Sequence, residues 1–73
     1  MNERQWAVAA RLLGKSIEVE PDDSKTHFLL AETLLQENKP SGAEKEIKEA
    51  LRLGPARPEF QALETEIEAR IPK

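Results

Sequence analysis

The 73-residue chain contains no cysteine and a single histidine, His27. Without cysteine there are no disulfides, no thiolate zinc sites and no cysteine nucleophiles. One imidazole alone does not make a transition-metal site, and no serine–histidine–carboxylate grouping accompanies it. A glycine-rich phosphate loop is also missing. We therefore expect no catalysis, no bound metal and no cofactor.

Long apolar runs and a net positive charge are absent as well. Residues 1–20 hold no apolar run of the length that a signal peptide or a membrane span needs. The net charge is −3, and the cations of region 39–52 alternate with glutamates, as on a solvated helix face. Nucleic acids require a basic surface that neutralises their phosphates. The composition therefore argues against nucleic-acid and membrane partners, and the lack of cysteine suits a reducing compartment such as the cytoplasm.

Apolar residues recur at spacings of three and four along the chain, which is the pattern of amphipathic helices. In the first segment, for example, Trp6, Ala10, Leu13 and Ile17 share one face. No stretch shows the alternation typical of β-strands. Because the loops are short, we predict about four antiparallel helices. Clusters of proline and glycine bound the four segments, which are 3–19, 24–37, 41–53 and 58–71.

Residues with known preferences for helix ends lie at the segment boundaries. Ser24 is a good N-cap for the second segment. Ser41 and Glu44 form the capping-box pattern, which predicts reciprocal side-chain bonds at the start of the third segment. Asn38 suits the left-handed conformation that ends a helix, and Gly54 is expected to end the third segment.

One sequence pattern occurs twice, with an offset of 34 residues. The first copy consists of Ala9, Leu13, Ser16, Ile17 and Pro21, and the second of Ala43, Ile47, Ala50, Leu51 and Pro55.

This pattern resembles the tetratricopeptide repeat, whose signature is W-x2-L-G-x2-Y…A-x3-F…P. His27 replaces the tryptophan of the signature, and Leu34 and Ile47 replace aromatic residues. The resemblance implies an all-α fold, a right-handed α–α superhelix of helix hairpins. The corresponding residues are His27-x2-Leu30-Ala31-x2-Leu34, then Ala43-x3-Ile47, and then Pro55.

The resemblance also implies how residues 1–73 are organised as a single domain. Glu64 stands where the complete repeat has Ala31, and a glutamate there would block a close-packed following helix. We therefore expect the fourth segment to cap the C-terminal end. The expected units are the second helix of a partial repeat at 3–19, one complete repeat at 24–53 and the capping helix at 58–71.

Tetratricopeptide repeats bind peptides or partner proteins, and their first helices line a concave face. The resemblance therefore implies a protein–protein interaction scaffold with a partner-binding flank on the second segment. Phe28 and Leu35 are suited to anchor an apolar partner side chain, but packing inside a thin core is the alternative that remains open. The residues carried over to this flank are Lys25, Phe28, Glu32, Leu35 and Gln36.

A structural role is the alternative function. The chain would then be an end piece of a longer array, or a unit that forms a homodimer and has no ligand groove of its own. Trp6, Ala10 and Leu13 are the expected self-association residues, because a preceding helix would cover them in a longer array. Packing of Trp6 on the second segment remains open as well.

Overall fold

The computed structural model describes residues 3–72, and they form four α-helices. Each predicted boundary lies within one residue of the observed one, so the prediction of an all-α fold of helix hairpins is confirmed. The connecting segments are short, and consecutive helices therefore pack antiparallel. The helices are α1 (Glu3–Val19), α2 (Ser24–Gln36), α3 (Pro40–Leu53) and α4 (Pro58–Arg70).

The N-terminus of α2 is capped by Asp23. Its carboxylate accepts hydrogen bonds from the backbone N–H groups of Lys25 at 3.0 Å and Thr26 at 3.4 Å. The prediction that Ser24 is the N-cap is therefore wrong by one residue. Hydrogen bonding by Thr26 and Lys25 also holds the pKa of the Asp23 carboxyl below its usual value.

We expect Asp23→Ala to lower the free energy of unfolding by about 1 kcal/mol, because two N–H groups of the first turn lose their acceptor. Urea denaturation followed by circular dichroism would measure the loss. Ser24→Ala is the matched control and should cost less. Equal losses in the two variants would contradict the assignment of the cap.

The start of α3 also differs from the prediction. The helix begins at Pro40, and Lys39, in the N-cap position, makes no capping hydrogen bond with its side chain. Proline needs no acceptor at the first helical position, because it has no N–H there. Ser41 therefore lies inside the first turn, and the capping box predicted for Ser41 and Glu44 is wrong.

The two predicted C-terminal residues end their helices in different ways. Asn38 adopts the left-handed conformation with φ 62°, as predicted, and its N–H donates to the carbonyl of Leu35 at 3.0 Å. Gly54 follows α3 with φ −140°, so a left-handed conformation does not explain it. Glycine is needed here because it has no side chain. A Cβ at Gly54 would lie only 3.3 Å from Cε2 of Phe60.

The core lies between α2, α3 and α4. Three of its members are alanines, which lets α2 and α3 approach closely along the central hairpin. Within residues 3–72, α1 packs against α2 and contributes no fully buried apolar side chain to this core. In this arrangement α2 lies between α1 and α3, whereas α4 packs mainly on α3 and has only a minor contact with α2. The buried apolar residues are Ala31, Leu35, Ala43, Ile47, Ala50, Phe60, Leu63 and Ile67.

Candidate functional site

Four of the five residues predicted to bind a partner lie along one exposed strip of α2. Lys25, Glu32 and Gln36 are exposed, and Phe28 is half-buried. Their spacings of three and four residues place them on neighbouring turns of one helix face. We name these four residues the α2 strip. It presents one cation, one anion and one amide beside an aromatic ring.

Leu35, the fifth predicted residue, does not belong to this strip. Its side chain is only 2% exposed and lies in the core. Leu35 is one helical turn beyond Ala31, which is also fully buried, so this side of α2 faces the other helices. Packing is thus its role, and placing Leu35 on a partner-binding surface was wrong.

Phe28 is positioned by an aromatic contact between α2 and α4. Its ring stacks on that of Phe60, with centroids 4.9 Å apart and planes at 27°. Phe60 is fully buried, whereas Phe28 only borders the core. The guanidinium of Arg57 lies 5.5 Å from the centroid of the Phe60 ring. The buried Phe60 ring therefore fixes the position of the Phe28 ring, and part of the Phe28 surface stays accessible to solvent.

The flank of this site includes one residue that the sequence reasoning missed. Leu29 is half-buried, and it lies four residues after Lys25 and three before Glu32. Neighbours at these spacings share a helix surface, so Leu29 adds apolar area to the α2 strip. Helical spacing alone could have identified Leu29. On the neighbouring helix α4, Gln61 is exposed, and its side-chain amide donates to the carbonyl of Pro55 at 3.3 Å.

His27 occupies the core edge and joins three parts of the fold. Its Nδ1 lies 2.8 Å from Oε1 of Glu46 on α3, and its Nε2 lies 2.8 Å from the carbonyl oxygen of Pro21. A carboxylate and a carbonyl are both acceptors, so this geometry suits an imidazolium that donates from both nitrogens. Burial by itself lowers the pKa of His27, but the bonds to Glu46 and Pro21 outweigh it and raise the pKa above 6.5.

The residues predicted for self-association lie on a partly covered side of α1. Trp6, Ala10 and Leu13 are all half-buried. The large apolar residues that α1 exposes are different ones, namely Val8, Leu12 and Val19. Leu12 and Val19 line an open groove of about 570 Å³ beside the start of α2.

Over the described residues, no group of three or more His, Cys, Asp or Glu side chains is arranged to hold a metal ion. None of α1 to α4, as far as the structure describes them, combines the length and apolarity of a membrane-crossing helix.

A comparison with models of protein families finds a match over most of the chain. The tetratricopeptide repeat model matches residues 1–67, which is most of the chain. No curated protein and no solved structure matches. The match agrees with the helix hairpins, the 34-residue offset and the small residues between α2 and α3. The chain therefore belongs to the tetratricopeptide repeat family.

Proposed function

We propose that the chain is a protein–protein interaction module that binds a peptide or a partner protein through the α2 strip, without catalysis. Family membership supports this, because repeat proteins of this kind present extended concave binding surfaces. The observation that carries the proposal is the ring of Phe28. A partly accessible aromatic ring whose position is fixed by a buried neighbour belongs to the residue class that is enriched at the core of protein interfaces.

The charges around Phe28 are suited to select a partner. Lys25 and Glu32 are exposed and carry opposite charges on the same face. Polar and charged groups at the rim of an interface contribute more to specificity and association rate than to affinity. A partner segment would therefore bring an apolar side chain to Phe28 and complementary charges to Lys25 and Glu32.

The absence of cysteine supports a cytoplasmic site of action.

The test is an exchange of these two charges. We expect Lys25→Glu with Glu32→Lys to reduce partner recovery from native lysate at least about tenfold, because like charges would then face each other across the interface. Quantitative mass spectrometry of the captured proteins would measure the change. The exchange keeps the net charge and alters only exposed side chains.

The matched control exchanges an ion pair on α3. Nζ of Lys48 lies 3.8 Å from Oε2 of Glu44 on the surface of α3. Glu44→Lys with Lys48→Glu also keeps the net charge, and recovery should stay at the wild-type level. Equal recovery of every partner by all three proteins would overturn the assignment of the α2 strip.

The second candidate is a structural end piece of a longer array, or a self-associating unit. The exposed apolar residues Val8, Leu12 and Val19 on α1 favour it, since such a row on a small protein marks a contact surface. Trp6, Ala10 and Leu13 remain candidates for this contact, although each is already half-buried.

A further inference from the structure

The outer side of α1 combines exposed apolar side chains with exposed cations. Val8 is 43% exposed, Leu12 55% and Val19 81%. Arg4 and Arg11 are exposed beside them, and spacings of three, four and seven residues place all five on one side of the helix. Among the described residues, no ion pair engages either arginine. Both guanidinium groups are therefore available to a group of another molecule.

The outer side of α4 has the complementary character. Its exposed residues include the small side chains of Ala62 and Ala69, which leave room for larger apolar groups. Glu59 and Glu66 are exposed next to these alanines. Each of the two carboxylates lies near a guanidinium of its own copy, at 3.8 Å and 3.5 Å, but ion pairs between exposed side chains contribute little to stability. Both carboxylates can therefore pair with cations of another molecule instead.

The charges on the two outer sides also have the same spacing. Arg4 and Arg11 are seven residues apart, and so are Glu59 and Glu66. Seven residues are about two helical turns, or roughly 10 Å along the helix axis. Two ion pairs can therefore form at the same time when the outer side of α1 faces the outer side of α4. The apolar residues of α1 then lie against the alanines of α4.

Within one copy these two sides do not meet. The helix α1 packs on α2, whereas α4 packs mainly on α3. In the part of the chain that the structure describes, α1 has no contact with α4. Any contact between the two outer sides therefore joins α1 of one copy to α4 of another copy.

A contact between two α1 helices is electrostatically less favourable. The exposed charges that the structure describes on this side are three cations and one anion, namely Arg4, Arg11, Lys15 and Glu18. In an antiparallel pair, Arg4 would lie near Glu18 of the other copy, but Arg11, at the midpoint of the helix, would lie opposite its own counterpart. Two such sides repel each other overall, because both have a net positive charge. Two α4 sides would likewise bring carboxylates together, with small alanines as their apolar contact.

We propose that the chain associates with itself head to tail, with the outer side of α1 of one copy on the outer side of α4 of the next. The apolar residues of α1 pack on the two alanines, and the two arginines pair with the two glutamates. Such a contact uses two different surfaces of each copy, which makes it heterologous. The proposal names the surfaces that the second candidate function leaves open, and it is independent of the α2 strip.

The first measurement is sedimentation of the 73-residue chain at increasing concentration. We expect the mean mass to rise with concentration at low salt. The association constant should be at least about tenfold lower in about 500 mM salt than in about 20 mM salt, because salt screens the charges of exposed groups. A chain that stays monomeric at low salt up to about 1 mM would overturn the proposal.

Two charge reversals then identify the surfaces. The α1 reversal is Arg4→Glu with Arg11→Glu, and the α4 reversal is Glu59→Arg with Glu66→Arg. Each variant alone should associate at least about tenfold more weakly than the wild type, because like charges face each other across the contact. An equimolar mixture should associate as the wild type does, because α1 of each variant then meets an α4 of opposite charge. Circular dichroism should show an unchanged fold for both variants, since all four side chains are exposed.

The matched control is Lys39→Glu with Lys48→Glu. It changes the net charge by the same amount as the α1 reversal, but at exposed positions outside α1 and α4, so wild-type association is expected.

Three results from the variants would contradict the head-to-tail contact. An α1–α1 contact would leave the α4 reversal associating like the wild type, and an α4–α4 contact would do the same for the α1 reversal. A mixture of the two folded variants that fails to associate would contradict it as well. The charge exchange at Lys25 and Glu32 should leave self-association unchanged, which separates this test from that of the α2 strip.

Discussion

Phe60→Ala is expected to lower the free energy of unfolding by about 3–5 kcal/mol. Phe60 is only 1% exposed, and it supports both the ring of Phe28 and the attachment of α4. A chain of this length has a total stability of roughly 4–11 kcal/mol, so the variant should lose between about a quarter and all of its stability. Urea denaturation monitored by circular dichroism would measure the effect.

Phe28→Ala is the matched comparison, because it removes the other ring of the same stacked pair. Phe28 is half-buried, so its removal takes less apolar surface out of the core and should cost clearly less. Equal losses in the free energy of unfolding would mean that the difference in burial between the two rings does not determine how much each ring contributes to stability. A wild-type urea midpoint for Phe60→Ala would contradict the placement of α4 on the core.

The free energy of unfolding is also expected to be larger near about pH 6 than near about pH 8. The folded state raises the pKa of His27 above 6.5, so folding favours the imidazolium. The stabilisation is fully present below the pKa of the unfolded chain and is lost as the pH rises through the pKa of the folded chain. The charged groups that surround His27 with Glu46 are Asp22, Lys45, Glu49 and Arg52.

Because His27 is the only histidine, its NMR titration gives this pKa directly. His27→Gln should remove the dependence of stability on pH in this range. Glu46→Gln should lower the pKa of His27, because the carboxylate is its hydrogen-bond partner on α3. A wild-type pKa at or below 6.5 would contradict the double hydrogen bond.

The helices were predictable because proline, glycine and apolar spacing are local signals. The residues that cap the helices were less predictable. Ser24 and Asp23 are both good cap residues, and only the backbone conformation decides between them. Ser41 and Glu44 match a capping box, but Pro40 starts the helix one residue earlier. Neighbouring residues can satisfy the same rule, so sequence fixes a helix end only to within a residue or so.

The candidate site was predictable in part for a related reason. The sequence places Phe28 and Leu35 on one flank of α2, but only the packing of the other helices decides which of them is buried. On α1, Trp6 was predicted to form a contact surface because it is large and apolar. The large apolar residues that are exposed on α1 are instead Val8, Leu12 and Val19. Exposure depends on which neighbours are present, and that information is not local.

The order of helix packing has a consequence for how the chain folds. Each helix packs mainly against the helices next to it in sequence, and the contact between α2 and α4 is minor by comparison. Only short loops must close before such contacts form, so little chain entropy is lost in reaching them. Proteins with this local topology fold in microseconds to milliseconds. A chain of this kind spends little time with its apolar surface exposed to aggregation.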